Sequence, residues 1–169
     1  MSLVYPMDPI ASDINVNTAL PWSLVTSIRK PSLDTMLEVS KAGQIQSDHP
    51  WLVAQQLLEE AEQTHHFLPI LLVVSDGSDL KLSHWGGVEH ITLLQLSAGR
   101  WESRCRIRSL SEIHPIWCSL DSLHHKPSEE QLRRERDEGI RTVRWPLRAS
   151  HIQPYGICET PAFIEFDTA

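Results

Sequence analysis

Nine histidines and three cysteines are the residues of this chain best suited to bind a metal or act as nucleophiles. Their spacing supports neither role. His65-His66 and His124-His125 are adjacent pairs, which cannot turn both rings into one site without unusual geometry, and no HExxH, HxH or CxxC spacing occurs. His84, His90 and Cys105 could converge across neighbouring strands. A metal-dependent hydrolase or nuclease using His84, His90 or Glu89 is therefore a third reading of the function. There is no GxSxG elbow, no P-loop and no dinucleotide-binding loop. Cys105, Cys118 and Cys158 each adjoin an apolar residue and read as small core side chains. Paired carboxylates fall only on helices that look solvated. The sequence assigns no catalytic residue, no metal ligand and no cofactor, and leans away from an enzyme.

Two other sets of residues point to a planar, anionic ligand. Residues 101–108 alternate cleanly, so Trp101, Ser103, Cys105 and Ile107 face one way while Glu102, Arg104, Arg106 and Arg108 face the other. Guanidinium groups at roughly 7 Å intervals along one strand face can follow phosphates; equally, they can be a solvated face paired with acids. The chain also carries six tryptophans. Trp51, Trp101, Trp117 and Trp145 read as core residues. Trp85 shares strand parity with Lys81 and adjoins the pair Gly86-Gly87, which lets another group approach closely. There it can stack on a base, or cover the sheet under the N-terminal arm.

These residues must be positioned by an α+β framework. Residues 1–20 show no sustained period and read as an extended N-terminal arm, docked through Leu3, Val4 and Tyr5 or only partly ordered. Residues 21–169 form the single domain expected at this length. Residues 22–28 predict a first strand that Pro31 stops. A short helix follows over residues 33–41, capped by Ser32 and ended by Gly43, with Leu33, Met36, Leu37 and Val39 inward. From Trp51 to about Thr64 runs an amphipathic helix, with Trp51, Val53, Ala54, Leu57, Leu58 and Ala61 inward and Glu59, Glu60 and Glu62 outward.

Residues 68–74 are apolar on both parities, as in a strand covered on both faces. Asp76-Gly77 marks a turn. Residues 80–85 and 88–96 read as strands interrupted by the glycine pair, and residues 101–108 complete an antiparallel meander. Ile113, Ile116, Trp117 and Leu120 offer core contacts in an irregular stretch. Ser128 and Gln131 form a capping box for a charged surface helix that Gly139 ends. Residues 140–147 read as an edge strand with Val143, Trp145 and Leu147 on one face and Arg144 on the other, and the apolar tail reads as docked. The fold expected is a small, curved, mostly antiparallel sheet or partly closed β-barrel, with two early helices and one surface helix.

The net charge of −7 excludes broad non-specific nucleic-acid binding. Its distribution is uneven: residues 1–99 carry −7, residues 100–148 carry +3 and residues 149–169 carry −3. A local anion-facing patch is compatible with this. The three scattered cysteines argue against a disulfide framework and for a reducing compartment. No apolar run approaches the roughly 20 residues of a membrane helix, and no signal peptide is visible, so a cytoplasmic location is expected.

The order of segments resembles the PUA-like superfamily, which includes ASCH, EVE and YTH domains. SIRKP at residues 27–31, followed at once by a helix, is similar to the first strand-to-helix passage of ASCH-type domains. LPILLVVSDGSDLKLSHWGGVEHI is similar to their later strands. The resemblance spans residues 20–150 in outline; the family's Gly-x-Lys-x-x-Glu-x-Arg element is absent, and residues 41–48 read KAGQIQSD instead. It implies a barrel with a cleft for RNA or for a modified base flipped from DNA or RNA. It places Trp22, Ser23, Arg29, Lys30 and Trp85 near that cleft, with Trp22 and Ser23 both lining it only where the strand begins or bends. The expected function is a nucleic-acid or modified-nucleobase binding module. The alternative is a protein-interaction or adaptor module, motivated by the acidic first 99 residues.

Overall fold

The two-sided apolar run at residues 68–74 becomes the strand against which the rest is laid. In the computed structural model, which describes residues 18–39, 41–76 and 79–164, strand β3 (Pro69–Asp76) lies inside a six-stranded sheet. Ile70 and Leu72 enter one hydrophobic cluster, Leu71 and Val73 a second on the opposite face, and all four are fully buried. Both parities of residues 70–73 are buried, which explains the absence of alternation.

Around β3 the sheet is assembled from β1 (Trp22–Ser27), β2 (Gly43–Ser47), β4 (Asp79–Ser97), β5 (Arg100–Glu112) and β6 (Gly156–Glu159), in the order β2-β5-β4-β3-β1-β6. β1 pairs with β3 in parallel, and every other neighbour is antiparallel. The sheet is mixed and does not close, so the fold is α+β with two sheet edges, β2 and β6. Helices α1 (Lys30–Val39) and α2 (Leu52–Gln63) contribute Leu33, Met36, Ala54, Leu57, Leu58 and Ala61 to the first cluster. On the other face, Ile113, Leu120, Leu123, Leu147, Ile152, Phe163 and Ile164 cover β1, β3 and the first half of β4. Of the expected N-terminal arm, residues 1–17 lie outside the described residues, as do the turn at 77–78 and Phe166. Ala19 bridges to Phe67 beside β3 and Leu20 is buried, so the end of the arm joins the sheet.

Several local expectations are corrected. Helix α1 begins at Lys30 rather than after Ser32, because Pro31 in a first helical turn costs no hydrogen bond. Val39 is exposed, as is Val53 on α2. GQIQS forms strand β2, which its single apolar residue, Ile45, had concealed; an edge strand needs only one buried side chain per turn of the pleat when β5 supplies the ladder. Residues 140–147 form no regular strand, and although Leu147 is buried as expected, the parity of residues 143–145 is reversed. Arg144 is the inward side chain, with Nη1 and Nη2 donating to Glu135 at 2.5 and 3.0 Å and Nε donating to Glu159 at 2.6 Å. Val143 and Trp145 therefore point out, 66% and 64% exposed. Ile116 and Trp117 are likewise exposed rather than core, although Trp117 packs against Phe163.

The Glu135–Arg144–Glu159 cluster ties helix α3 (Glu129–Glu138) to the sheet. This helix buries no side chain of its own, and its Ser128–Gln131 capping box and left-handed Gly139 end it as the sequence predicted. The bidentate guanidinium and the Thr142 donors hold the Glu135 carboxyl well below the usual carboxylate range. No described helix is long and apolar enough to cross a membrane.

The glycine pair has two different roles. A Cβ on Gly86 would lie 2.7 Å from Ile107 Cγ2 and 2.8 Å from the Arg108 carbonyl oxygen, whereas one on Gly87 would meet only Phe67 at 3.8 Å. Gly86→Ala is expected to destabilise the fold by about 1–3 kcal/mol through overpacking against backbone. Gly87→Ala is expected to be close to neutral. Urea denaturation of both variants checks this, and equal midpoints would contradict it.

Candidate functional site

β-Sheets twist, and a six-stranded sheet wrapped around an apolar filling can bring distant strands together. Here β1 is fifth in strand order and β2 first, yet Thr26 and Ser27 of β1 and Ile45, Gln46 and Ser47 of β2 line one cleft of about 490 Å³. The sheet has therefore curled around the cluster containing Leu24, Ile45, Ile70 and Ile107. The cleft is the gap left where the curl stops short of closure.

Two loops complete its walls. On one side the connection from β2 to α2 is pinned by Ser103, a fully buried hydroxyl on β5. Ser103 donates to the His49 carbonyl at 2.5 Å and accepts from the Trp51 backbone N–H at 2.9 Å. On the other side, Thr26 donates to the Pro154 carbonyl at 2.6 Å, and Gln153 Nε2 donates to Ser27 Oγ at 2.6 Å. Trp51 lines the cleft with its ring 4.6 Å from that of Tyr155. The Tyr155 hydroxyl accepts from the Ala54 N–H, and burial raises its pKa.

Trp51 carries the one anomaly in this region. Its side chain is 1% exposed, and its indole Nε1 has no hydrogen-bond partner among the described residues. An orphaned buried donor costs about 1–3 kcal/mol. A ligand acceptor would relieve that cost once the cleft lining parted to admit it. Next to this cleft, and sharing Gln46, Ser47 and Asp48 with it, a second trough of about 500 Å³ runs along the β4–β5 hairpin past Leu96, Arg100 and Trp101. The arrangement offers an aromatic floor, several amide and hydroxyl groups, and an open approach.

The arginine row lies beside it. Arg104, Arg106 and Arg108 are exposed on the outer face of β5, as their alternation predicted. Arg104 stands opposite Gln46 and Arg106 opposite Gln44 on β2, so the row begins next to a cleft residue. Arg104 is held to Glu102 at 2.5 Å, and Arg106 lies 3.6 Å from Glu89. Arg29 and Lys30 are exposed just beyond the end of β1, with Lys30 paired to Asp34 at 3.4 Å.

The other candidates are placed elsewhere. Trp85 is 6% exposed, belongs to the second core cluster and stacks on Phe67 with ring centroids 6.1 Å apart. The cause is a β-bulge. The β3–β4 register passes from Leu72↔His84 to Val73↔Leu82, so Ser83 is an extra residue, and Leu82 and Trp85 share a buried face. Trp22 is half-buried, and its ring is already covered by Lys126 Nζ at 4.8 Å. Ser23 is fully buried and shares a 2.7 Å hydrogen bond with Thr160. None of these three lines the cleft. Trp51, Thr26, Gln46 and Gln153 do, and the legible signal for them was the tryptophan at the start of an amphipathic helix.

The residues considered for hydrolysis are not gathered. His90 is exposed on the outer face of β5's neighbour while Cys105 is buried on the inner one. His84 accepts or donates at 2.7 Å with Ser83, and burial lowers its pKa. No three His, Cys, Asp or Glu side chains among the described residues are placed to hold one metal. Burial pushes the Cys105 and Cys158 thiols up to about 12. At pH 8 each is thiolate to roughly one part in ten thousand. Iodoacetamide at that pH is expected to label half-buried Cys118 well before the other two, with all three reacting in denaturant; peptide mass spectrometry reads the order. Compared with known proteins, the chain matches no protein-family model, no curated protein and no solved structure.

Proposed function

We propose that the protein is a nucleic-acid-binding module of PUA-like type that receives a base, plain or modified, in the cleft between β1 and β2. The observation that carries this reading is the cleft itself: a polar gap in an unclosed, curled sheet, lined by a tryptophan whose buried N–H has no partner among the described residues. A flipped base is read by aromatic or apolar contacts to its faces and hydrogen bonds to its edge. Ile45, Trp51 and Pro154 supply the first kind of contact, and Thr26, Gln46 and Gln153 the second. Arg104, Arg106 and Arg108 would then position phosphates outside the cleft, and Arg29 and Lys30 would extend that approach. In this reading Trp51 takes the part that the sequence had given to Trp85 or Trp22.

A protein-interaction module is the second reading. It draws on α2, where exposed Leu52 and Val53 lie on the same helix as exposed Glu59, Glu60 and Glu62. A stoichiometric protein partner that survives nuclease treatment would favour it.

Two substitutions separate base reading from phosphate contact. Trp51→Phe removes one N–H donor and is expected to weaken oligonucleotide binding about tenfold, the size of one hydrogen bond. Arg106→Glu is expected to weaken binding to all sequences alike and to lower the salt slope by about one. Fluorescence anisotropy across a salt series measures both, with circular dichroism to verify folding. Absence of binding to any plain or modified oligonucleotide at low salt would end this proposal.

A further inference from the structure

A second cleft, of about 530 Å³, lies on the C-terminal half and is lined by His125, Trp145, Pro146, Arg148, Ser150 and His151. Its most prominent member is Trp145, 64% exposed on a backbone that is firmly held. The Trp145 carbonyl accepts from the His125 N–H at 2.8 Å, His124 bridges to Pro146, and the Leu147 N–H donates to the Leu123 carbonyl at 2.9 Å. The preceding residue, Arg144, is drawn inward by Glu135 and Glu159. In an extended segment that forces its neighbour outward. The indole is thus presented by the ion cluster rather than left over by a loose loop.

The lining of the cleft is cationic or neutral. None of the six lining residues is a carboxylate, and no ion pair joins Arg148 to an acid among the described residues. His125 Nε2 and His151 Nδ1 are 3.1 Å apart, and the Arg148 backbone N–H also donates to His151 Nδ1 at 3.0 Å. That nitrogen is therefore an acceptor, so His125 donates through Nε2–H. Burial and the neighbouring His151 lower the His125 pKa. The cleft combines an exposed ring, a guanidinium with no ion-pair partner among the described residues, and a hydrogen-bonded imidazole pair.

This cleft is not remote from the first. Ser150 and His151 line it, while Gln153 and Pro154 line the cleft between β1 and β2. Two residues of chain span at most about 7 Å, roughly the separation of bases two steps apart in one strand of a duplex.

We infer that the Trp145 cleft is a second nucleotide subsite, in which Trp145 stacks on a base two steps from the one held between β1 and β2 while Arg148 contacts a phosphate between them. The inference rests on the proposed function and extends it: the ligand is a single-stranded or locally unpaired stretch of at least three nucleotides, not an isolated base. An exposed indole beside a guanidinium is suited to sequence-tolerant stacking of this kind.

The test is a length series. Fluorescein-labelled thymidine and uridine oligonucleotides of one, three and five residues are titrated by anisotropy into wild type, Trp145→Ala and Arg148→Ala. Wild type is expected to bind the trimer at least about tenfold more tightly than the single nucleotide, as one added stacking contact allows. Trp145→Ala is expected to bring that ratio close to one, and Arg148→Ala to lower it and weaken its salt dependence. Both positions are exposed, so the fold should survive, and thermal melting verifies it. If wild type shows the length gain and Trp145→Ala keeps it in full, the subsite is overturned while the proposed function stands. If wild type shows no length gain, the subsite is likewise overturned. If wild type binds none of the series, the subsite is overturned, and the proposed function falls with it if modified oligonucleotides are not bound either.

Discussion

The constraint on which the rest of the structure depends is that β3 is buried on both faces. Four consecutive side chains, Ile70 to Val73, have no access to solvent, and they alternate between two separate hydrophobic clusters. One cluster requires the helices and the curl of the sheet; the other requires the irregular half of the chain from Ile113 to Ile164. Neither half of the sequence could leave β3 without exposing one of its two rows of aliphatic side chains, at about 1.5–3 kcal/mol for each side chain. The parallel pairing of β1 to β3 follows from the same requirement. α1, β2 and α2 all lie between β1 and β3 in sequence, enough chain for the crossover that a parallel neighbour needs.

The cleft is a consequence of how that curl ends. A fully closed barrel would pair the two edge strands, β2 and β6, and leave no gap. Instead, the backbone of the 153–156 segment accompanies the end of β1, and the loop at His49–Trp51 is fastened to β5 through Ser103. Both fastenings are hydrogen bonds from buried or half-buried hydroxyls, which hold the walls apart at a fixed distance. The polar groups that face the gap are then available to a ligand, because β2 has no strand partner on that side and the pairing of β1 with β6 ends at Val25, before Thr26 and Ser27. The Trp51 N–H, which has no partner among the described residues, lies at the same gap.

Electrostatics shape the opposite face. The guanidinium of Arg144 lies between two carboxylates with its side chain only 10% exposed. It anchors a helix that buries nothing and sets the direction of the residues on either side of it. A buried ion pair of this sort is a modest source of stability, since desolvation offsets much of the attraction. Its larger effect here is geometrical. It reverses the parity that hydrophobicity alone would choose for residues 143–145 and puts two apolar side chains, Val143 and Trp145, into solvent.

The sequence by itself determined what depends on local periodicity and capping. The two-sided strand at residues 68–74, the amphipathic helix after Trp51, the alternation that exposes Arg104, Arg106 and Arg108, and the Ser128 capping box ending at Gly139 were all legible, because each is set by neighbours within a few residues. Tertiary structure alone decided the rest. The bulge at Ser83 exists to satisfy pairing with β3, so the face of Trp85 could not be counted from Lys81. β2 and β6 are strands only because β5 and β1 offer them edges. Arg144 turns inward because Glu135 and Glu159, nine and fifteen residues away, meet it there. The candidate cleft joins Thr26, Gln46, Trp51 and Gln153, four residues that no spacing rule connects, and it exists because the sheet curls around its apolar filling and stops before it closes.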